Sequence, residues 1–142
     1  MQRELFMAGS DSEIESCYPV FALLRPHVRR EEFLAQVRRQ ERESYQILAA
    51  RLDRRVVSAA GFRFAEFLAW GRVLYIDDLT TLAEARGQGH AGAILDRLID
   101  HARARQCAAV HLDSGYARHA AHRLYLGKGF ELTSHHLARR LD

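Results

Sequence analysis

Apolar residues change their spacing along this chain, and each change predicts an element. The run ELFMA, residues 4–8, reads as a first strand. Ser10, Asp11, Ser12 and Glu13 then supply a short polar cap with acids for a first helical turn, predicting a helix of about ten residues that ends near Pro26. Residues 30–43 predict a second helix, with Phe33, Leu34 and Val37 on one side. From Tyr45 the runs SYQILAARL, VVSAAGFRFAEFLAW and RVLYIDDLTTL are rich in β-branched and aromatic residues, and Asp53, Arg54, Arg55 and then Gly71 separate them. That pattern predicts an antiparallel meander of three strands. Ala91, Ile94, Leu95, Leu98 and Ala102 return to helical spacing and predict a helix over residues 90–105 with one buried face. CAAVHLD reads as a short buried strand. Ala117, Ala120, Ala121 and Leu124 mark a helix that should stop at Gly127 to Gly129, and FELTSHHLARRL is expected to form one or two strands. The order β-α-α-β-β-β-α-β-α-β, with room for another strand, predicts an α+β fold, a mixed α/β sandwich in which helices cover a mostly antiparallel sheet.

Between the third meander strand and the helix that follows, Gly87, Gln88, Gly89, His90, Ala91 and Gly92 spell G-x-G-x-x-G, and Asp113 lies at the end of the next strand run, about 20 positions on, as a dinucleotide fingerprint would require. The context does not fit. A dinucleotide loop follows a central parallel strand within a residue or two, whereas this strand carries Asp77 and Asp78, belongs to a hairpin-connected meander, and is separated from Gly87 by residues 80–86. What survives is the physics of the loop. Glycines let backbone approach an anion, the free N–H groups of a first helical turn point at it, and Arg86 adds charge-assisted hydrogen bonds.

Composition narrows the ligand. The 142 residues, 48% hydrophobic and 27% charged, fit a single domain over 1–142. A formal charge of +3 favours an anionic ligand. The densest basic run, Arg29, Arg30, Arg38, Arg39 and Arg42, is interleaved with Glu31, Glu32, Glu41 and Glu43, which reads as a solvated helix face and not as a nucleic-acid surface. No leader-like or membrane-spanning run is found, and Cys17 and Cys107 lack disulfide or metal spacing, so reduced thiols in a cytoplasmic protein are expected. His119 with His122, and His135 with His136, find no third ligand at useful spacing, and no metal site is expected.

Two segments carry a family resemblance. Arg86-Gly87-Gln88-Gly89-His90-Ala91 is similar to the [QR]-x-x-G-x-[GA] pyrophosphate loop of the GNAT superfamily of acyl-CoA-dependent N-acetyltransferases. Ala121-His122-Arg123-Leu124-Tyr125-Leu126-Gly127-Lys128-Gly129-Phe130 resembles that family's A-x-x-x-Y-x-x-x-G-F element. One position departs, since Arg118 stands where many members have Asn. The resemblance implies a GNAT-like fold, acetyl-CoA as acyl donor, and an amine acceptor on a small molecule or peptide. It further implies that Arg86, Gly87, Gln88, Gly89, His90, Ala91 and Gly92 cradle the pyrophosphate, His90 through its N–H. Backbone around Leu79, Thr80 and Thr81 would hold the pantetheine arm and face the oxyanion, and Tyr125 would protonate the leaving thiolate. Arg25 and His27, between the early helices, fall on the acceptor side, and a homodimer is implied without a marked interface.

Asp77 and Asp78 are adjacent on a strand and are expected on opposite faces, so one of them, with Asp78 preferred, would hold or deprotonate the amine; the other reading of either is a turn cap or an arginine partner. The cysteines lie outside any nucleophile arrangement, so direct attack on the thioester is expected. The competing function is a non-catalytic acyl-CoA-binding sensor or interaction module.

Overall fold

Strand pairing follows chain order, as hairpin-linked runs of β-formers should. In the computed structural model of the protein, which describes residues 2–141, β1 (Arg3–Met7), β2 (Gln46–Leu52), β3 (Arg55–Phe67) and β4 (Gly71–Thr81) pair antiparallel in sequence order, and β5 (Ala109–Leu112) adds parallel to β4. The helices are α1 (Asp11–Ser16), α2 (Tyr18–Leu24), α3 (Arg30–Gln40), α4 (His90–Ala104) and α5 (His119–Gly127). The chain forms two compact units, Met1–Leu112 with the whole sheet and α1 to α4, and Asp113–Asp142 with α5. The expected mixed α/β sandwich with a mostly antiparallel sheet is thus observed.

In the larger unit, α2 and α4 cover opposite faces of the sheet. Thr80 Oγ1 donates to the Val20 carbonyl of α2 at 3.1 Å, whereas Phe62 of β3 lies with its ring 6.3 Å from that of His101 in α4. Ile94, Leu95 and Leu98 of α4 are fully buried together with Ile47, Leu48, Phe62 and Leu74 of the sheet, so the stripe at helical spacing is the core face. Burying each such side chain contributes roughly 1.5–3 kcal/mol.

The first helix is not the single piece expected. Ser10 caps α1 and Glu13 reaches back to the Ser10 N–H, a reciprocal capping box, but the helix ends at Cys17 and α2 begins at once with Pro19 in its first turn. Proline has no N–H to continue the α1 ladder, and its ring would strike the carbonyl of residue 15, so the helix must break and restart. The second helix continues through a turn of tighter helix over Glu41–Glu43, and Ser44, at φ 67°, stops it.

A second correction concerns residues 130–141. The expected terminal strands are not formed, and Leu132 and Leu137 are 89% exposed. The alternation Phe130, Leu132 gives way to Ser134 and His136, so this segment has no continuous apolar face to bury. Within its unit, the end of α5 is better defined. Gly129 N–H donates to Leu126 O at 3.1 Å, Phe130 N–H donates to Tyr125 O at 3.0 Å, and Gly129 has φ +91°. This is a Schellman ending, completed by the Tyr125 and Phe130 rings 5.8 Å apart. The Y-x-x-x-G-F spacing is therefore the spacing of a helix stop. Gly129→Ala should lower stability by about 1 kcal/mol through its left-handed φ alone, since a Cβ there meets nothing within 4 Å; urea midpoints would check this, with Gly129→Asn recovering part of the loss.

Candidate active site

The site is built on an irregularity of β4. Gly61 of β3 pairs with Asp78 and Phe62 pairs with Ile76, which leaves Asp77 as an extra residue in β4. Such a bulge reverses the in-out alternation beyond it. Asp77 therefore shares its face with Tyr75, and Asp78 joins them, so that all three line one cavity of about 340 Å³ against α2 and α3. The expectation of opposite faces is corrected here: it assumed an unbroken period of two, which the extra residue removes.

Two guanidiniums and one phenol organise this pair. Arg63, opposite Tyr75 in the sheet, grips Asp77 from both sides, Nε donating to Oδ1 at 3.1 Å and Nη2 donating to Oδ2. Arg25, where the chain leaves α2, donates from Nε to Asp78 Oδ1 at 2.9 Å and from Nη2 to the Asp77 carbonyl at 3.1 Å. Tyr45 Oη donates to Asp78 Oδ2 at 2.9 Å. Burial pushes the Asp77 carboxyl above its ordinary value against the pull of Arg63. Burial and then Asp78 push the Tyr45 phenol far up, so it remains a donor. Arg25 and His27, expected near the acceptor, do line the cavity.

Tyr45 and Arg63 were not legible as site residues. A signal existed in Gly61, a glycine inside a strand, which often marks close approach by another group. A Cβ at Gly61 would lie 1.8 Å from Tyr45 Oη. Glycine is required there so that the phenol can cross the strand to reach Asp78.

Beyond the bulge, β4 leads to the anion loop. β5 pairs with β4 only up to Ile76 with Leu112, so along Leu79, Thr80 and Thr81 that edge of β4 has no strand partner among the described residues. A short tight helix, Ala83–Ala85, then carries the chain to Arg86 in an extended conformation. Gly87 at φ +77° and Gly89 at φ +82° bend the loop so that α4 starts at His90 with no side chain capping it. A Cβ on Gly87 would meet nothing within 4 Å. An uncapped 15-residue helix behind open, glycine-lined backbone fits a phosphate-bearing group, with Ala91 and Gly92 in the first turn.

His90 does more than offer its N–H, because its side chain is buried. Arg3 of β1 donates from Nε to His90 Nδ1 at 2.9 Å and from Nη2 to the Gln88 carbonyl at 3.0 Å. With Nδ1 accepting, the ring proton sits on Nε2, which faces Gln88 Oε1 at 3.3 Å. Burial and then Arg3 hold the imidazole below its ordinary pKa, in the neutral form this network needs.

In the smaller unit, Tyr125 of α5 is buried. Burial raises its phenol pKa, against the pull of the Arg118 charge. Cys17 is buried, with its thiol pushed up to about 12 by desolvation, so it is no nucleophile.

Residues 12–130 match the profile of the Acetyltransferase (GNAT) family. The chain belongs to that family. It is an acyltransferase whose acyl donor is acetyl-CoA. The chain is 31% identical over 128 residues to the uncharacterized N-acetyltransferase YhdJ of Bacillus subtilis (strain 168), covering 89% of this chain and 90% of that protein. The fold matches ribosomal-protein-alanine N-acetyltransferase from Brucella melitensis biovar Abortus 2308 with TM-score 0.83 at 19% identity, over 99% of this chain and 100% of the other. It also matches the aminoglycoside N-acetyltransferase AAC(6')-Iy in complex with CoA, with TM-score 0.84 at 14% identity, over 99% and 95%. No helix among the described residues is long and apolar enough to cross a membrane.

Gly61→Ala should destabilise the protein by about 1–3 kcal/mol by overpacking and should release Tyr45 from Asp78; an unchanged unfolding midpoint would refute the close approach. A second expectation concerns acid. A histidine with a depressed native pKa binds fewer protons folded than unfolded, so its contribution is full at neutral pH and is lost as pH falls from 6.5 through the lower native value. His90→Gln, which keeps an acceptor for Arg3, should flatten that part of the stability-pH curve.

Proposed function

We propose that this GNAT protein is an N-acetyltransferase that moves acetyl directly from acetyl-CoA to an amine of a small molecule or peptide. The observation that carries the reading is one strand, β4, joining a carboxylate-lined cavity at Asp77 and Asp78 to the anion loop at residues 86–92. A strand that serves both ends fixes the acceptor relative to the donor, which is what bimolecular transfer needs.

In this reading the N–H groups of the loop and first helical turn, with Arg86, hold the pyrophosphate. The unpaired edge of β4 at Leu79, Thr80 and Thr81 takes the pantetheine arm and offers an amide to the developing oxyanion, a contribution on the order of 2.7–4 kcal/mol by analogy with other such donors. Asp78 accepts the proton that the acceptor ammonium must lose, directly or through water, with Arg25 and Tyr45 fixing its orientation. Asp77, held by Arg63, maintains the field beside it. Asp78 passes that proton to solvent water; the neutral amine then attacks the thioester carbonyl, the C–N bond forms, the C–S bond breaks, and the surplus amine proton leaves through the freed carboxylate. Tyr125 returns a proton to the thiolate. Burial favours this role by keeping the phenol protonated. No enzyme nucleophile is required, and both cysteines are free.

We read residues 1–142 as one catalytic domain, because the family profile over residues 12–130 runs through both compact units. A cytoplasmic setting suits the acyl donor and the free thiols, and a homodimer is the assembly we favour. Calorimetric titration should give micromolar acetyl-CoA affinity and no NAD affinity. Tyr125→Phe should leave that affinity intact while lowering kcat by about 10²-fold. Binding without acetylation of any amine would mean a sensor module instead, and NAD binding would overturn the loop assignment.

A further inference from the structure

The cavity that holds Asp77 and Asp78 is charge-balanced, and this restricts the acceptor. Both oxygens of each carboxylate are already engaged, Asp77 by Arg63 and Asp78 by Arg25 and Tyr45. Their side chains are only 20% and 14% exposed. Two carboxylates are thus matched by two guanidiniums. A ligand with several ammonium groups would have to desolvate them here without spare negative charge, which is costly. One amine can share the remaining lone pairs of Asp78, but a second or third finds no counter-ion.

Arg25 supplies the complementary feature. Its Nε and Nη2 are committed to Asp78 and to the Asp77 carbonyl, while Nη1 has no hydrogen-bond partner among the described residues. The side chain is 44% exposed and lines the same cavity. A guanidinium with an unused N–H edge recognises carboxylate. The anion-seeking group is hydrogen-bonded to the amine-seeking group, so their ligands must sit on neighbouring atoms of the acceptor. The remaining wall is apolar and aromatic, with Phe33 set against Tyr18 and Phe21 at ring distances of 5.4 and 5.8 Å.

We infer that the acceptor is an α-amino acid, free or at the end of a small molecule, whose amine meets Asp78, whose carboxylate meets Arg25 and whose compact apolar side chain lies against Tyr18, Phe21 and Phe33. The inference rests on the proposed acetyl transfer and names its substrate class. Polyamines and aminoglycosides are excluded by charge. Monoamines lacking a carboxylate bind more weakly because Arg25 is left without its anion.

The test is acetylation by the full chain, with acetyl-CoA, of the standard amino acids, their amides, phenethylamine and spermidine, alongside calorimetry of acetyl-CoA alone. At least one apolar amino acid should exceed its amide, phenethylamine and spermidine in kcat/KM by about tenfold or more. Arg25→Gln, which disturbs Asp78 for every amine, should raise KM for that amino acid about tenfold more than it raises KM for phenethylamine, and should leave acetyl-CoA affinity unchanged. Faster acetylation of spermidine or phenethylamine, equal effects of Arg25→Gln on both acceptor types, or acetyl-CoA binding with no amino acid acetylated would each overturn the inference while leaving the cofactor reading standing. Absence of acetyl-CoA binding would instead remove the proposed transfer itself.

Discussion

A single inserted residue in β4 sets the geometry of the candidate site. Without the bulge at Asp77, strand alternation would send Asp77 and Asp78 to opposite faces, one of them toward the core beneath α4. With it, both carboxylates share the α2 face, and the parity of every residue beyond is reversed: Thr80 now reaches Val20, while Thr81 lies beside the buried Ser58. The same offset sets which edge groups β4 presents where β5 stops pairing. One register shift thus fixes the cavity proposed for the acceptor and the edge proposed for the pantetheine arm.

Holding two carboxylates together in a half-buried cavity carries an electrostatic cost, and the surrounding residues are those that offset it. Arg63 and Arg25 each take one acid, and Tyr45 satisfies the last oxygen of Asp78. Gly61 follows from this arrangement, because a phenol crossing the sheet leaves no room for a Cβ. The anion loop is built on the opposite logic. There the backbone donors are left open, and side chains aim them: Arg3 ties down the Gln88 carbonyl and the His90 ring, His90 faces the Gln88 side-chain oxygen, and Gly87 and Gly89 supply the positive φ values the bend requires.

Much of this was readable from sequence because it depends on local rules. The meander, the periodic stripe of α4, the polar cap at Ser10 and the glycine loop are each specified by residues within a few positions of one another, and the structure follows them. The failures share a cause. The bulge is a relation between β3 and β4, and nothing in IDDLT alone shows that Gly61 and Phe62 will pair with residues two apart. Tyr45 and Arg63 became visible only once that register was known. The expected terminal strands failed for the same reason, since β-propensity without a partner and a continuous apolar face does not make a ladder.

The Y-x-x-x-G-F element shows how a signature can carry two meanings. Its spacing is accounted for by helix termination alone, with Gly129 in the left-handed conformation and Phe130 packed on Tyr125. That geometry needs an apolar ring at position 125, and phenylalanine would serve as well. The hydroxyl is surplus to the structural requirement, and the positive charge of Arg118 lowers its pKa against the effect of burial. A buried phenol with a guanidinium beside it can stay protonated at rest and be stabilised as phenolate once its proton has moved. Arg118, the departure from the usual Asn, therefore lowers the pKa of the one group of Tyr125 that helix termination does not use.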